Sequence, residues 1–312
     1  MKVLIIGVEK DYNAEYFYAK AFTQLGHEVS MINEYKSVNN PVRTRIFYTR
    51  SGLFRFNLEH FEINKNVLQK VKSNEPDIIL VFKGELLSTP NIAKLNENFK
   101  IYLFYPDMYK FPSLLKNRLR LFQAVFTAAN ETQFYYDLGA KRVVTTPWGC
   151  DTEFHIKKMM EKKYDISFVG TGYLERRRII EKLNNVITFG DFWPRSRNHN
   201  PPLNGIEYIN VLNQTKINLN LQAKANIIAD APTMRTFEIA GCGGFQISNY
   251  MPSVKKYFPM LPTFREVSEL KELISYYLDN HEEALEIANK TMEICHSTYK
   301  YIDAAKILIS NL

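Results

Sequence analysis

Two short apolar runs, each closing on a glycine, constrain this chain most. Residues 2–7 read KVLIIG and residues 164–170 read YDISFVG. Each is a β-branched or apolar stretch that stops at Gly and leads into a helical pattern, the usual opening of a parallel α/β unit. In a chain of 312 residues, one such opening in each half predicts two α/β units in series.

The alternation that follows supports this. In the first half, strands are expected at 28–33, 77–82, 100–105, 124–127 and 143–145. Helices are expected at 13–25, closed by Gly26, and at 58–72. A further helix should run from Asn130, as its N-cap, to Gly139. Residues 147–163 break the pattern with Pro147, Trp148 and Gly149 and then a charged stretch. The expected division is therefore a first domain at 1–150, a linker at 151–163, a second domain at 164–296, and a terminal helix at 297–312 packing back on the first. In the second half, helices are expected at 175–183, 205–213, 233–240 and from 267 onward, with strands at 186–189, 217–221 and 245–248. Residues 195–204 read as a polar loop. Parallel sheets take ligands beyond the carboxyl ends of their strands, so the expected site is a cleft between the two sheets.

Composition excludes several classes. No run approaches the ~20 apolar residues of a membrane span. The apolar start is too short for a secretion signal and meets Glu9-Lys10-Asp11 at once. The cysteines, Cys150, Cys242 and Cys295, form no C-x-x-C pair and are odd in number, which argues against a disulfide framework or a structural zinc site and for the cytoplasm. The net charge of +7 and pI of about 9.0 favour anionic partners: nucleotides, polyanionic glycans, nucleic acid or acidic lipid.

The most informative stretch is 230–248, DAPTMRTFEIAGCGGFQIS. Thr233, Arg235, Thr236 and Glu238 gather at the start of a short helix. The open N–H groups of a helix start favour anions, and Arg235 adds a fork of donors. Glu238, one turn on, is placed to accept from ribose hydroxyls. Gly241, Gly243 and Gly244 permit a tight turn or a close ligand. The competing view is an ordinary surface helix with Arg235 and Glu238 as an exposed i,i+3 pair.

Arg235-Thr236-Phe237-Glu238-Ile239-Ala240-Gly241-Cys242-Gly243-Gly244 resembles the nucleotide-sugar motif of GT-B glycosyltransferases. It looks closest to the "spore maturation" type, whose motif runs Arg-x-Phe-Glu, a small residue, then Gly-rich sequence. The resemblance extends to 164–178, where a strand, Gly170 and an arginine cluster follow in the family's order. It implies two Rossmann-like domains facing each other across a cleft and a nucleoside diphosphate sugar, UDP- or GDP-linked, as donor. By analogy, Gly170, Thr171, Arg176, Arg177, Thr233, Arg235, Thr236 and Glu238 bind that donor, with Arg176 and Arg177 neutralising the departing diphosphate. Many retaining relatives carry a second glutamate seven residues ahead of the one at Glu238; here Asp230 stands there. Gly7, Tyr12, Lys83 and Glu85 fall on the acceptor side. Asp107 resembles an acidic residue of the family and is the candidate general base or acceptor-orienting group, with a helix or turn cap as the alternative. Arg235 and Glu238 complete the candidate catalytic set.

Among other residues, His27 sits at the wrong strand end for a role, His155 lies in the expected linker, and Trp148 and Trp193 are expected in the core. Residues 41–56 interleave Arg43, Arg45, Arg50 and Arg55 with Phe47, Tyr48, Phe54 and Phe56. An acceptor-side loop is the first reading there, an ordinary surface loop the second and nucleic acid the third.

These readings converge on metal-independent transfer of a sugar to a hydroxyl of a surface glycan, lipid-linked, protein or small-molecule acceptor, in the cytoplasm or peripherally at the inner membrane face. No Asp-x-Asp signature and no cofactor is expected. A nucleotide-sugar 2-epimerase and a non-catalytic nucleotide- or glycan-binding module are the rivals. An NAD-linked oxidoreductase is excluded, because Gly7-Val8-Glu9-Lys10-Asp11-Tyr12 lacks G-x-G-x-x-G.

Overall fold

A computed structural model describes residues 1–33, 58–106, 115–194, 196 and 198–312. It divides into two compact units, Met1–Thr146 with Ala305–Leu312, and Pro147–Ala304.

The first unit is a six-stranded parallel sheet. Its strands are β1 (Lys2–Gly7), β2 (Glu28–Asn33), β3 (Ile78–Phe82), β4 (Lys100–Phe104), β5 (Val125–Thr127) and β6 (Val143–Thr145). They lie in the order β2-β1-β3-β4-β5-β6. Val3 to Ile6 and Ile78 to Phe82 are buried throughout, as unbroken apolar runs require when both sheet faces are covered. The helices are α1 (Ala14–Gln24), α2 (Leu58–Asn74), α3 (Thr89–Asn98) and α4 (Gln133–Asp137). Asn13 caps α1 by accepting from Tyr16 N at 3.0 Å, and Gly26 ends it at φ +81°. Chain direction across the sheet reverses between β1 and β3.

The second unit is also a six-stranded parallel sheet: β7 (Tyr164–Val169), β8 (Val186–Phe189), β9 (His199–Asn200), β10 (Thr215–Asn220), β11 (Gln246–Asn249) and β12 (Thr263–Phe264). The order is β12-β11-β10-β7-β8-β9. Strands step outward from β7 to β9, then return to the other side of β7 at β10. The reversal between β7 and β10 opens a crevice at their carboxyl ends, where such sheets take ligands. Its helices are α5 (Leu174–Ile180), α6 (Gly205–Gln214), α7 (Lys224–Ile228), α8 (Met234–Gly241), α9 (Pro252–Tyr257), α10 (Val267–Asp279) and α11 (His281–Thr298), and α12 (Tyr301–Ile309) begins in this unit and ends in the first.

The structure departs from expectation in several places. Strand β9 lies inside the expected polar loop, and β12, α7 and α9 are too short for periodicity to reveal. Helix α4 begins at Gln133, not after Asn130, and Thr132 before it makes no side-chain cap. Residues 147–163 belong to the second unit. Trp148, Cys150 and His155 are buried. Cys150 bridges to Lys300, and a Cβ on Gly149 would lie 2.4 Å from the Lys300 carbonyl carbon. The segment is therefore pressed onto the α11–α12 junction. Among the described residues, no helix is long and apolar enough to cross a membrane. Asp107 and the arginine–aromatic stretch 41–56 lie outside the described residues.

Candidate functional site

The crevice of the second unit is bounded by the turn after β7, the turn after β10, and the start of α8. Backbone bonds press the first turn toward β8. Gly170 N donates to Phe189 O at 2.7 Å and Gly172 N to Asp191 O at 2.8 Å. Trp193 Nε1 donates to Gly170 O at 2.8 Å. The two glycine N–H groups are thus spent inside the fold and are not offered to a phosphate. The glycines serve close approach: a Cβ on Gly190 would lie 2.3 Å from Gly170 O, and one on Gly172 would lie 2.7 Å from the Trp193 ring.

The arginines that follow do different work. Arg177 donates from Nε to Gly172 O at 2.7 Å and from Nη2 to Phe192 O, tying the turn to the β8 side. Phe192 sits there at φ +63°. Arg178 is exposed. Arg176 turns the other way and is 5% exposed. Its Nε donates to Leu221 O at 2.9 Å and its Nη1 to Thr171 O at 3.1 Å. It therefore stitches the turn after β7 to the turn after β10, under the half-buried Thr171. The guanidinium lies 5.3 Å from the ring centres of Phe168 and Tyr173.

A buried amide network holds α8 against the strand ends. Asn220 Nδ2 donates to Thr236 Oγ1 and to Gln246 Oε1, each at 2.9 Å. Gln222 Nε2 donates to Asn220 Oδ1 at 3.0 Å, and Gln222 N to Asn249 Oδ1 at 2.8 Å. Thr233 N donates to Gln222 Oε1 at 3.2 Å. Gln246 Nε2 donates to Thr236 O at 2.8 Å. Thr236, expected at the donor, is fully buried and its hydroxyl is engaged in this network. Replacing Asn220→Ala strands several buried partners and should cost about 1–3 kcal/mol. A fall in the urea midpoint at unchanged slope measures it.

The network delivers Arg235 to the crevice. Thr233, Met234 and Arg235 are half-buried, so this helix end is not closed off. Arg235 Nε is enclosed with no hydrogen-bond partner. Its Cζ lies 3.5 Å from where a Cβ on Gly170 would stand. A side chain at 170 would crowd the guanidinium, so Gly170 makes its room. Burial, and then the nearby Arg235 charge, push Arg176 down to about 10, which leaves it charged at neutral pH. Neither arginine pairs with a carboxylate among the described residues. Two interacting guanidiniums, neither ion-paired with a carboxylate among the described residues, form a site whose repulsion a bound dianion would offset.

Glu238 faces inward. It is 5% exposed. Tyr208 Oη on α6 donates to its Oε2 at 2.9 Å, and His155 Nε2 lies 3.8 Å from its Oε1. Burial raises its pKa, opposed by the Arg235 charge and the Tyr208 bond. It is not the exposed partner of Arg235. The glycines after it serve packing: a Cβ on Gly241 would lie 2.7 Å from Cys150 Cβ and 3.1 Å from His155 Cβ. Gly243 turns the chain at φ +62°. Asp230 is also occupied. At φ +46°, its Oδ1 accepts from Ser253 N at 3.1 Å and Ser253 Oγ at 2.6 Å, capping α9.

In the first unit the expected acceptor-side residues gather at the reversal between β1 and β3. Gly7 ends β1, where a Cβ would lie 3.0 Å from Phe82 Cβ and 3.2 Å from Glu15 Oε1. Glu15 is buried, accepts from Val8 N at 3.3 Å, and is raised in pKa by burial against nearby Lys83. Lys83 and Gly84 follow β3 with φ of +61° and +62°. Buried Arg118 donates to Gly84 O at 3.3 Å and to Thr89 Oγ1 at 3.0 Å. Glu85 is half-buried, and Tyr12 is exposed at φ +64° against Tyr16.

Comparison with known proteins bears on both units. Residues 171–310 match the family model described as "Glycosyl transferase-like". No curated protein matches the chain in sequence. Solved structures match it over nearly its whole length. Sucrose-phosphate synthase from Thermosynechococcus elongatus aligns at TM-score 0.69 and 11% identity, over 99% of this chain and 97% of that one. A trehalose-6-phosphate synthase aligns at 0.66 and 10%, over 99% and 98%. A glycosyltransferase from Rickettsia africae aligns at 0.61 and 11%, over 99% and 97%. The chain thus has the GT-B fold of two Rossmann-like domains, and its second unit is glycosyl transferase-like in sequence.

In this glycosyl transferase-like unit, sequence reasoning missed Gln222, Asn220, Gln246 and Tyr208. One signal was present. Residues 217–222, INLNLQ, alternate apolar residues with amides along an expected strand, which marks a polar network on one face. The three cysteines are free and buried. Among the described residues, no cluster of His, Cys, Asp or Glu is arranged to hold a metal.

Proposed function

We propose that the chain transfers a sugar from a nucleoside diphosphate sugar to a hydroxyl acceptor, with the diphosphate lying between Arg176, Arg235 and the start of α8. The observation behind this reading is the pair of guanidiniums, neither ion-paired with a carboxylate among the described residues, at the reversal between β7 and β10. As the sugar–oxygen bond breaks, its electron pair passes to the diphosphate. Arg235, with Arg176 behind it, stabilises the charge that grows there. The amides of Met234 and Arg235 open α8, where no preceding turn accepts from them, so they add donors on the same side. The acceptor hydroxyl forms the new bond and gives up its proton. We assign that proton to Asp107 and the acceptor to the first unit, on the family resemblance.

Within the GT-B proteins we place the chain with the spore-maturation type, on residues 235–244. The donor carries uridine or guanosine. The net charge of +7 suits acceptors on acidic surfaces, including lipid-linked glycans at the inner face of a membrane. With arginines in the charge-stabilising role, transfer should proceed at full rate in excess chelator. Single-turnover transfer with EDTA checks this, and loss of rate restored by a divalent ion would overturn it.

Thermal shift tests the donor assignment. A ligand that binds only the native state adds about 2.7 kcal/mol at 100 times its Kd. Uridine or guanosine diphosphate should therefore raise the melting temperature, and the bare nucleoside should raise it far less. Equal shifts from nucleoside and diphosphate would reject the arginine site.

A further inference from the structure

Three consecutive carbonyls in the turn after β7 are each taken by a different side chain. Gly170 O accepts from Trp193 Nε1 at 2.8 Å, Thr171 O from Arg176 Nη1 at 3.1 Å, and Gly172 O from Arg177 Nε at 2.7 Å. The amides of the turn are mostly engaged as well. Gly170 N donates to Phe189 O, Gly172 N to Asp191 O, and Tyr173 N to Thr171 O. Thr171 N is the exception: no acceptor among the described residues takes it.

Trp193 governs where that amide points. The peptide from Gly170 to Thr171 is trans, and a trans peptide holds its C=O and N–H on opposite sides. With the Gly170 carbonyl drawn to the indole, the Thr171 N–H faces away from it. Trp193 follows β8, and β8 lies across β7 from β10, the strand that bounds the crevice. The indole is itself held firmly. A Cβ on Gly172 would lie 2.7 Å from its Cδ2. Its ring meets Phe168 edge-on with centres 5.7 Å apart and stacks on His199 of β9 at 5.5 Å and 16°. His199 Nδ1 is bonded in turn to Thr188 Oγ1 on β8. The short edge strand β9 thus backs the indole from behind.

We propose that Trp193 is a positioning residue for the donor: its indole N–H fixes the Gly170–Thr171 peptide so that the Thr171 amide is directed into the crevice and donates to the diphosphate. This rests on the donor-site reading above. An amide in that role recognises the anion and not the nucleoside, because a donor bonds a charged oxygen more strongly than a neutral one. An indole N–H kept only to satisfy a carbonyl makes a different demand. Its loss lowers stability and leaves the preference between ligands unchanged.

Trp193→Phe keeps an aromatic ring against Gly172 and removes the N–H. Calorimetric titration of the full chain should show uridine diphosphate and inorganic pyrophosphate each weakened by about three- to tenfold, a fraction of what a well-aligned hydrogen bond to a charged group supplies. Uridine should bind the variant as it binds the wild type. In the wild type, the Thr171 amide resonance should move downfield with either phosphate ligand and stay with uridine, while the Gly170 and Gly172 amides, bonded inside the fold, move less. That comparison decides alone should the variant not fold. A Thr171 amide unmoved by a phosphate ligand that binds would overturn the proposal and leave the donor site standing. A variant that binds both phosphate ligands as tightly as wild type, or loses uridine by the same factor, would overturn it too. Wild-type protein that binds neither phosphate ligand would reject the donor site itself, and the proposal with it.

Discussion

Arg235→Ala should weaken nucleoside diphosphate binding by about ten- to a hundredfold. A hydrogen bond to a charged group is worth about 1.5–3 kcal/mol, and each 1.4 kcal/mol is a factor of ten. Arg235 combines such donors with a whole charge, and its Nε has no partner of its own to lose. Arg235→Lys should recover part of the loss, because the charge returns while the planar fork does not. Titration of uridine diphosphate against the three proteins reads the order directly. An alanine variant that binds as tightly as wild type would remove Arg235 from the site. Arg176→Ala should behave differently. Its donors are given to Leu221 O and Thr171 O, so its loss should lower stability together with affinity.

Gly190→Ala should be the most damaging small substitution in the second unit. The added methyl would stand 2.3 Å from Gly170 O and 2.7 Å from its carbonyl carbon, both backbone atoms that cannot rotate away. The residue also sits at φ +142°, where side chains are rarely accommodated. Overpacking of this kind costs about 1–3 kcal/mol, and strained backbone adds about as much again. The two turns must part, and Gly170 with them, so ligand affinity should fall beside stability. Urea unfolding with and without uridine diphosphate reads both effects. A variant as stable as wild type that still gains the full ligand increment would show that the two turns need not stay in contact.

The fold was legible from the sequence in its long elements and illegible in its short ones. The runs KVLIIG and YDISFV read as strands because burial on both faces demands mostly apolar residues over their inner positions, Val3–Ile6 and Ile166–Val169. The edge strands His199–Asn200 and Thr263–Phe264 have two residues each, too few to carry any period. The order of strands, which puts the crevice between β7 and β10, is written in pairing partners and not in any local pattern.

At the site, Arg235 at a helix start was legible because that placement is local, whereas Gly170, expected in a phosphate-facing turn, gives its N–H to Phe189 O. The burial of Glu238 was not legible, because its surroundings are not local. Tyr208 and His155 meet it from other segments, and His155 belongs to a charged stretch that reads as a connector. The same stretch is held to the α11–α12 junction by backbone bonds from Cys150 N to Tyr299 O and from Tyr301 N to Cys150 O, which no composition reveals. Thr236 was misread for a related cause. A hydroxyl near a helix start looks available until the amides of Asn220 and Gln222 are seen beneath it.

The most direct measurement is a crystal structure of the chain with uridine diphosphate bound. The phosphates should lie at the carboxyl ends of β7 and β10, with oxygens about 3 Å from the Arg235 guanidinium and Glu238 still bonded to Tyr208. Phosphates bound away from this crevice, with Arg235 turned from them, would contradict it.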